Sequence, residues 1–306
     1  MMKRMFFIAI LICASLLQQI RADVPSTRKA LLVGVGNYPA GSGWHRLSSA
    51  LDIEMLKGTL ASTFQTKCLV DKQATYAGIT KALDNLCREV SPGDTVLVHF
   101  SCHGQQMFTA SPDESDRLDE TLIPYDALVS ESDAYHGEKH LKDDTLGEKM
   151  EAIRKKLAGR GLLIVSLDAC HSGDAARGNS TPQDTLCRGT NDIFGVKHPS
   201  EIADSLEIYR YAPDRTKLTE GTPVVFISAC GSTQKNYEFR LADGTRIGSL
   251  SISLNEALKE TGLTDVTAFL DCIYVKMKKY GRRQNPQFKS SFEYVSPKEL
   301  NSRSVH

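Results

Sequence analysis

GLLIVSLDACHSGD, residues 161–174, joins a short apolar run to a cysteine and a small polar turn. The run is too short to span a membrane and too apolar for a strand with one solvated face, so it predicts a central parallel strand buried on both faces. Open α/β sheets bind their ligands at the carboxyl ends of such strands. The position of Cys170 therefore indicates a reactive thiol, and the alternative is an ordinary buried core cysteine.

A second stretch, Asp94–Gly104 (DTVLVHFSCHG), has the same plan, with an apolar run that ends at a histidine and a glycine. Side chains alternate between the two faces of a strand. Ser101 therefore shares a face with His103, and Asp168 shares one with Cys170. If the two predicted strands are neighbours in the sheet, His103 meets Cys170.

A competing pair, Cys102 with His171, has the same parity along the two strands. Strand geometry alone leaves both pairings open. We favour His103 with Cys170 because Gly104 follows His103 directly. A glycine there lets a backbone N–H approach a substrate carbonyl without a side chain in the way.

Two motifs, FSCHG and DACHSG, resemble the His-Gly and Asp-x-Cys-His-Ser-Gly signatures of metacaspases and their bacterial relatives, within the caspase-hemoglobinase fold. The chain is less similar to caspases proper, which carry glutamine where it has Asp168. Cys102 stands where the family usually has glycine. Further matches follow in the family's order along the chain: 30–36, 47–56 with Asp52, 119–126, 143–144, 228–230 with Gln234 and Glu238, and 284–287.

The resemblance implies an α/β fold, with a mostly parallel central sheet of about six or more strands and helices on both faces. A chain of 306 residues, 41% hydrophobic and 24% charged, has room for one domain with a large core, which we place at 23–306. Apolar periodicity predicts helices over 76–90, 145–157, 249–259 and 264–279, and a short closing strand over 292–295.

These residues predict a cysteine endopeptidase of the metacaspase type. Cys170 would attack the scissile carbonyl with His103 as acid and base, and the N–H groups of Gly104 and Cys170 would hold the oxyanion. One alternative is a catalytically silent caspase-like binding module, although such relatives typically lose one of the two residues. Another is a redox or acyl-transfer enzyme that uses the same thiol.

The charge beside the thiol predicts specificity. Asp168 lies two residues before Cys170 on the same strand face, so its carboxylate should line the pocket for the side chain that precedes the scissile bond. Ser101 and Ser228, at the ends of the flanking strands, would add neutral hydrogen bonds, and the family resemblance implies Asp52 as a second carboxylate. Such a pocket favours arginine or lysine. The alternative is that Asp168 only anchors a loop.

An acidic segment over 111–151 holds thirteen Asp and Glu against four Lys and Arg. Solvated loops are the common form of such runs. The resemblance implies calcium binding through Asp143 and Asp144, because hard cations need clustered carboxylate oxygens. The family's further acidic ligand has no evident counterpart, since its approximate place holds Arg177. We therefore expect that no cofactor is required, with calcium as an open alternative.

The amino terminus has the order of a signal peptide: two basic residues, an apolar run over 5–17, and a small residue at Ala22. We expect export, to the periplasm or the medium, with no stable membrane insertion after removal of residues 1–22. That cleavage would remove three basic residues and no acidic ones, taking the formal net charge from 0 to about −3. The charge argues against a nucleic-acid partner. A lipid-modified Cys13 is the weaker alternative.

A long segment after the nucleophile, 175–221, lacks sustained periodicity and contains scattered glycines and prolines. Segments of this length inside a compact domain are usually functional. Exposed irregular segments are preferred sites of proteolysis. The basic residues Arg177, Arg188 and Lys197 therefore predict self-cleavage within this segment.

Overall fold

The strands of the sheets form from short β-branched and leucine-rich runs. The structure is a computed structural model, and it describes residues 26–109, 118–170, 186–196, 221–231, 234–281, 284–292 and 294. The predicted signal peptide 1–22 and most of 175–221 lie outside these residues. The strands are β1 (Arg28–Gly34), β2 (Gln65–Val70), β3 (Thr95–Ser101), β4 (Gly104–Phe108), β5 (Leu118–Leu122), β6 (Leu141–Lys142), β7 (Leu162–Asp168), β8 (Val224–Ser228), β9 (Glu238–Arg240), β10 (Arg246–Gly248) and β11 (Gln287–Ser290).

Six of these strands form the central sheet, in the order β11-β8-β7-β3-β1-β2. All its pairings are parallel except that of β11 with β8. The sheet confirms the predicted α/β architecture. The strands of the two cysteine and histidine motifs, β7 and β3, are direct neighbours, and their last residues, Asp168 and Ser101, lie opposite each other.

Five described helices cover the two faces of the sheet. Leucine, isoleucine and methionine side chains of α2 and α3 pack on one face, and those of α1, α4 and α5 pack on the other. Each fully buried aliphatic side chain contributes about 1.5–3 kcal/mol, so the two apolar layers hold the strand ends in place. The helices are α1 (Ser49–Leu60), α2 (Tyr76–Glu89), α3 (Asp143–Lys156), α4 (Ser249–Glu260) and α5 (Val266–Tyr280).

The edges of the fold differ from the sequence prediction. Two strands of the acidic segment, β5 and β6, form an antiparallel sheet with the preceding β4, which the pattern of charges did not indicate. The closing strand is β11 at Gln287–Ser290, which begins five residues before the strand predicted over 292–295. Within the described ranges, no helix combines the length and apolarity that a membrane crossing requires.

Candidate active site

The adjacent ends of β3 and β7 bring the predicted histidine and cysteine together. His103 follows β3 after one residue, and Cys170 follows β7 after one residue, so the parallel register carries both to the same edge of the sheet. Both side chains are almost fully buried. Burial lowers the pKa of His103, and Cys170 lies near enough for its charge to raise that pKa slightly in return.

His103 is held in one orientation by its neighbours. Its Nε2 lies 3.0 Å from the carbonyl oxygen of His45, and its backbone N–H donates to the hydroxyl of Tyr38 at 3.1 Å. The ring stacks on that of Trp44, with ring centroids 4.8 Å apart. Because a carbonyl can only accept, Nε2 carries the proton and Nδ1 keeps its lone pair.

Burial sets the protonation state of this histidine. Burial, with a smaller contribution from His45, lowers the pKa of His103 to about 3, so the imidazole is neutral near pH 7. Its Nδ1 is buried and has no hydrogen-bond partner among the described residues. A neutral, fixed imidazole with an available lone pair is suited to accept a proton from a nearby thiol.

The two candidate cysteines have different surroundings. The thiol of Cys170 donates to the carbonyl oxygen of Gln234 at 3.3 Å, at the polar edge of the sheet. Cys102 instead lies in the apolar layer on the α2 and α3 side, and burial raises its pKa to about 12. The structure thus brings His103 to Cys170, while His171, the other half of the competing pair, lies outside the described residues.

A segment of the chain itself, 186–190, occupies the space in front of these two residues. The N–H groups of Gly104 and Cys170 both donate to the carbonyl oxygen of Arg188, each at 3.0 Å. These are the two N–H groups that the sequence predicted for an oxyanion site. They converge on one oxygen, which is the geometry required to stabilise a developing negative charge.

The same segment adds an extended strand beside residues 236–238. The N–H of Arg188 donates to the carbonyl of Asn236 at 2.8 Å, and the N–H of Glu238 donates to the carbonyl of Leu186 at 2.9 Å. Between them, Cys187 and Tyr237 form an antiparallel bridge. Extended peptides commonly bind to proteins in this way, by adding a strand through main-chain hydrogen bonds.

The guanidinium of Arg188 fills a buried acidic pocket. Its Nη2 donates to Asp52 Oδ2 at 2.7 Å and to Glu238 Oε1 at 3.0 Å, and its Nη1 donates to Ser101 Oγ at 2.6 Å. Its Nε lies 3.9 Å from Asp168 Oδ1. The structure therefore brings three of the four predicted pocket residues, Asp168, Asp52 and Ser101, around a single cation.

The pocket carboxylates differ in their environments. Burial pushes the pKa of Asp168 up, but Arg188 and hydrogen bonds from Asn236 and Ser251 outweigh it and hold the pKa below its usual value. Burial also raises the pKa of Asp52, and there it dominates, so that this pKa rises to about 6 despite the attraction of Arg188. Three carboxylates against one guanidinium leave the pocket with excess negative charge. Repulsion from Asp168 accordingly adds to the rise in the pKa of Asp52.

Gly248 forms the floor of the pocket. A Cβ atom on this residue would lie 2.1 Å from Asp168 Oδ2 and 2.7 Å from Asp52 Oδ2. Its N–H donates to Asp52 Oδ1 at 2.9 Å. A glycine is needed here because the backbone approaches both carboxylates more closely than any side chain allows.

Two of the predicted site groups lie elsewhere. Ser228 pairs in register with Leu167, the neighbour of Asp168, so it belongs to the opposite face of the sheet and does not reach the acidic pocket. Asp143 and Asp144 form the first turn of α3. Among the described residues no three His, Cys, Asp or Glu side chains form a group that could hold a metal ion, so calcium binding stays a prediction.

Several residues that complete the site could not be predicted from the sequence. The family resemblance includes Glu238 without a role, and the sequence indicates Arg188 only as a point of cleavage. Asn236, Ser251 and His45 carried no motif, and no local pattern would have found them. Their contribution depends on contacts between residues far apart in the chain, such as the 136 positions between Asp52 and Arg188.

A thiol beside a neutral imidazole, two converging N–H groups and an enclosed side-chain pocket form a site of the cysteine-peptidase class. Comparison with known proteins agrees. The family model Peptidase_C14, described as the caspase domain, matches residues 27–294. The chain belongs to this family of cysteine peptidases.

Similar proteins include metacaspase-1 of Eremothecium gossypii, 32% identical over 159 residues, which cover 48% of this chain and 32% of that protein. Metacaspase-1 of Mycosarcoma maydis is 26% identical over 303 residues, covering 88% of this chain and 72% of that protein. The chain thus spans about a third of the first relative's length and nearly three quarters of the second's.

Two solved structures have a similar fold. One is protein GSU0716 from Geobacter sulfurreducens, with a TM-score of 0.56, 22% identity, and coverage of 90% of this chain and 96% of that one. The other is caspase-1 from Spodoptera frugiperda, with a TM-score of 0.54, 15% identity, and coverage of 89% and 91%. At these identities the likeness establishes the fold alone.

Proposed function

We propose that this protein is an endopeptidase that cleaves peptide bonds after arginine or lysine, with Cys170 as nucleophile and His103 as acid and base. The observation that carries the proposal is Arg188. This residue fills the acidic pocket with its side chain and directs its carbonyl oxygen at the N–H groups of Gly104 and Cys170. It has the contacts that a substrate residue before the scissile bond would need.

The chemistry follows from the positions of the two residues. His103 Nδ1 accepts the thiol proton of Cys170 as the sulfur attacks the substrate carbonyl, and the protonated ring then gives that proton to the leaving amine. The two N–H groups stabilise the oxyanion of the tetrahedral intermediate. Water hydrolyses the thioester in the second half of the reaction.

The charge of the pocket supports the specificity. A basic side chain would replace Arg188 between Asp52, Glu238 and Asp168, all of which are buried. An acidic side chain would add a fourth negative charge to the same site. A buried charge pair or its loss changes binding by about 2–5 kcal/mol, so the pocket should discriminate strongly between substrates.

Matched peptide substrates test the proposal. We expect wild-type protein to hydrolyse peptides with Arg or Lys before the cleaved bond and to leave the Asp and Leu peptides nearly intact. Cys170→Ala and His103→Ala should each lower kcat/KM by about 1,000-fold or more, whereas the control Cys102→Ala should keep most activity. Full activity in Cys170→Ala would contradict the assignment. Peptide binding without hydrolysis in wild type would favour the silent binding module instead.

We also propose that the protein cleaves itself between Arg188 and Gly189. Arg188 has the contacts of a bound substrate, and Gly189 lies where a Cβ atom would be 2.4 Å from the carbonyl oxygen of Cys170. The small residue therefore lets the chain pass close to the nucleophile. The other two sites considered, Arg177 and Lys197, lie outside the described residues.

Intact-mass measurement during incubation tests self-cleavage. Wild type should yield two fragments that divide after Arg188, and Arg188→Lys should retain cleavage there because it keeps the positive charge. Arg188→Gln should remain uncut at this bond, as should Cys170→Ala. The control Arg160→Gln, at an exposed turn, should behave as wild type. Cleavage after Arg188 in the Cys170→Ala variant would show that another peptidase is responsible.

Export of the protein is a further proposal, supported by the order of basic, apolar and small residues in 1–22. The mature chain should begin near Asp23. Amino-terminal sequencing of protein recovered outside the cytoplasm tests this. An intact Met1 or a lipid on Cys13 would contradict it.

A further inference from the structure

Two more thiols surround the nucleophile. The Sγ atoms of Cys170 and Cys230 both donate to the carbonyl oxygen of Gln234, at 3.3 and 3.1 Å. The neighbouring Cys170 raises the pKa of both Cys230 and Cys187, so the three thiols lie near one another. No disulfide joins the seven cysteines of the described residues. The mechanism uses one of these three thiols and gives the other two no role.

The position of Cys230 suits a covalent bond to Cys170. It lies two residues beyond the end of β8, the strand directly beside β7 in the sheet. Continuing the register in which Leu167 pairs with Ser228 places Cys230 beside Ala169, the residue before Cys170. Beyond the strand ends, the two thiols converge on the single carbonyl oxygen of Gln234. Both cysteines are buried at this edge of the sheet, and their shared acceptor keeps the two sulfurs near each other.

We propose that Cys230 is a resolving thiol for Cys170, so that oxidation of the nucleophile forms a reversible Cys170–Cys230 disulfide that switches the peptidase off. The regulatory part of this inference rests on the proposed function, because it takes Cys170 as the nucleophile. The disulfide itself depends only on the proximity of the two sulfurs.

A hydroperoxide supplies the oxidising equivalents. The Cys170 thiol gives up its proton as its sulfur attacks one peroxide oxygen and the O–O bond breaks. Cys170 becomes a sulfenic acid, and the other oxygen takes up that proton and leaves as water or an alcohol. The Cys230 thiol then attacks the Cys170 sulfur, and the sulfenic oxygen leaves as a second water. Two electrons pass from the two sulfurs to the peroxide. A small dithiol then reduces the disulfide by two thiol–disulfide exchanges, which restore both protein thiols and convert the dithiol to its own cyclic disulfide.

Cys187 is the competing partner. It precedes Arg188, so it occupies its place only while segment 186–190 fills the site, and a substrate or a self-cleavage event would displace it. Cys230 stays beside Cys170 in either case. The neighbouring Cys170 and burial raise the pKa of Cys230 well above the usual range. Cys170 has the Nδ1 of His103 near it as a base, so Cys170 is the thiol that reacts first with peroxide.

Peroxide treatment followed by mass spectrometry tests the inference. Full-length wild type, Cys230→Ser and Cys187→Ser are treated with hydrogen peroxide and digested without reduction, and activity on an Arg peptide is measured before and after a dithiol. Wild type and Cys187→Ser should form a Cys170–Cys230 peptide pair and regain activity with the dithiol. Cys230→Ser should instead accumulate Cys170 sulfinic acid and stay inactive. Cys230→Ala serves as the second variant if the serine disturbs folding.

Each result bears on one of the two proposals. A wild-type digest without a Cys170–Cys230 pair, or with a Cys170–Cys187 pair in its place, would overturn the inference. Full recovery of activity in Cys230→Ser would do the same. If the Cys170–Cys230 pair forms but the reduced protein hydrolyses no peptide, the inference about the disulfide holds and the proposed function fails.

Discussion

Two acidic regions of the molecule differ in the origin of their balancing charge. In the pocket, three buried carboxylates face one guanidinium, which belongs to a segment between two strands of the sheet. In the antiparallel sheet of the acidic segment, buried Asp119 pairs with Lys142 on the neighbouring β6 strand. Asp143 and Asp144 adjoin that pair at the first turn of α3, where the helix dipole favours negative charge.

The two regions differ in whether the balancing cation belongs to the same sheet as the acids. Asp119 has a cation fixed by the same sheet, so the pair stabilises the fold and has no need of an outside charge. The pocket carboxylates have a cation that departs whenever segment 186–190 departs. Buried carboxylates without a balancing cation are unfavourable in free energy, so a pocket without Arg188 should bind a basic group of a substrate.

The largest difference between the two regions should appear on replacing Asp52. Asp52→Asn removes the carboxylate nearest the guanidinium and should lower kcat/KM on Arg peptides by between about 30-fold and several thousand-fold, the equivalent of 2–5 kcal/mol. The control Asp144→Asn, measured with a chelator present, should keep nearly full activity. Equal losses in the two variants would remove the distinction between the regions.

The pH dependence of unfolding should also separate them. The pKa of Asp52 is raised to about 6 from 3.8, so its contribution to stability is fully present below pH 3.8 and is lost as the pH rises through 6. Between these values wild type should lose up to about 3 kcal/mol relative to Asp52→Asn. Denaturant titrations at pH 4 and 7 measure this, with Asp144→Asn as control. A wild type that gains stability relative to Asp52→Asn over this interval would contradict the assignment.

Asp168→Asn should have a smaller effect on activity than Asp52→Asn. Its carboxylate lies 3.9 Å from the guanidinium, and hydrogen bonds from Asn236 and Ser251 hold it in place. Coulomb attraction weakens with distance, so we expect a loss of about 10- to 100-fold in kcat/KM on Arg peptides. The ratio of Arg to Leu hydrolysis is the measurement. An unchanged ratio would mean that Asp168 only anchors the backbone around it.

Calcium should have the smallest effect. The family's further acidic ligand has no evident counterpart in the sequence, where its approximate place holds Arg177, so we expect added calcium or EGTA to change Arg-peptide hydrolysis by less than about twofold. Isothermal titration with calcium is the direct measurement. Stoichiometric binding that Asp143→Asn abolishes would show that residues beyond the described ones complete a site.

The centre of the fold could be predicted from the sequence because it depends on short-range patterns. The apolar runs of β3 and β7 end in polar residues, and their period places His103 and Cys170 at one edge once the strands are neighbours. The error at Ser228 came from the same rule applied without the register. Ser228 pairs with Leu167 and not with Asp168, so it belongs to the other face.

The contents of the pocket could not be predicted in this way. Arg188 lies in an irregular segment, and its contacts to Asp52 and Ser101 join residues 136 and 87 positions away. The pairing of β4 with β5 was not predicted because acidic residues interrupt the alternation of apolar and polar residues along β5. Asp119 is buried within β5, where Lys142 on β6 pairs with it. Non-local pairing of charges leaves no period along the chain.

The stacking of Trp44 on His103 gives the site an intrinsic fluorescent probe. Trp44 is the only tryptophan in the chain, and its ring lies 4.8 Å from the imidazole at an angle of 25°. Indole emission is quenched by a protonated imidazole in contact with it, and it shifts in wavelength when water reaches the ring. The intrinsic fluorescence of the unlabelled protein should therefore follow, in real time, the proton on His103 and the arrival or departure of whatever covers it.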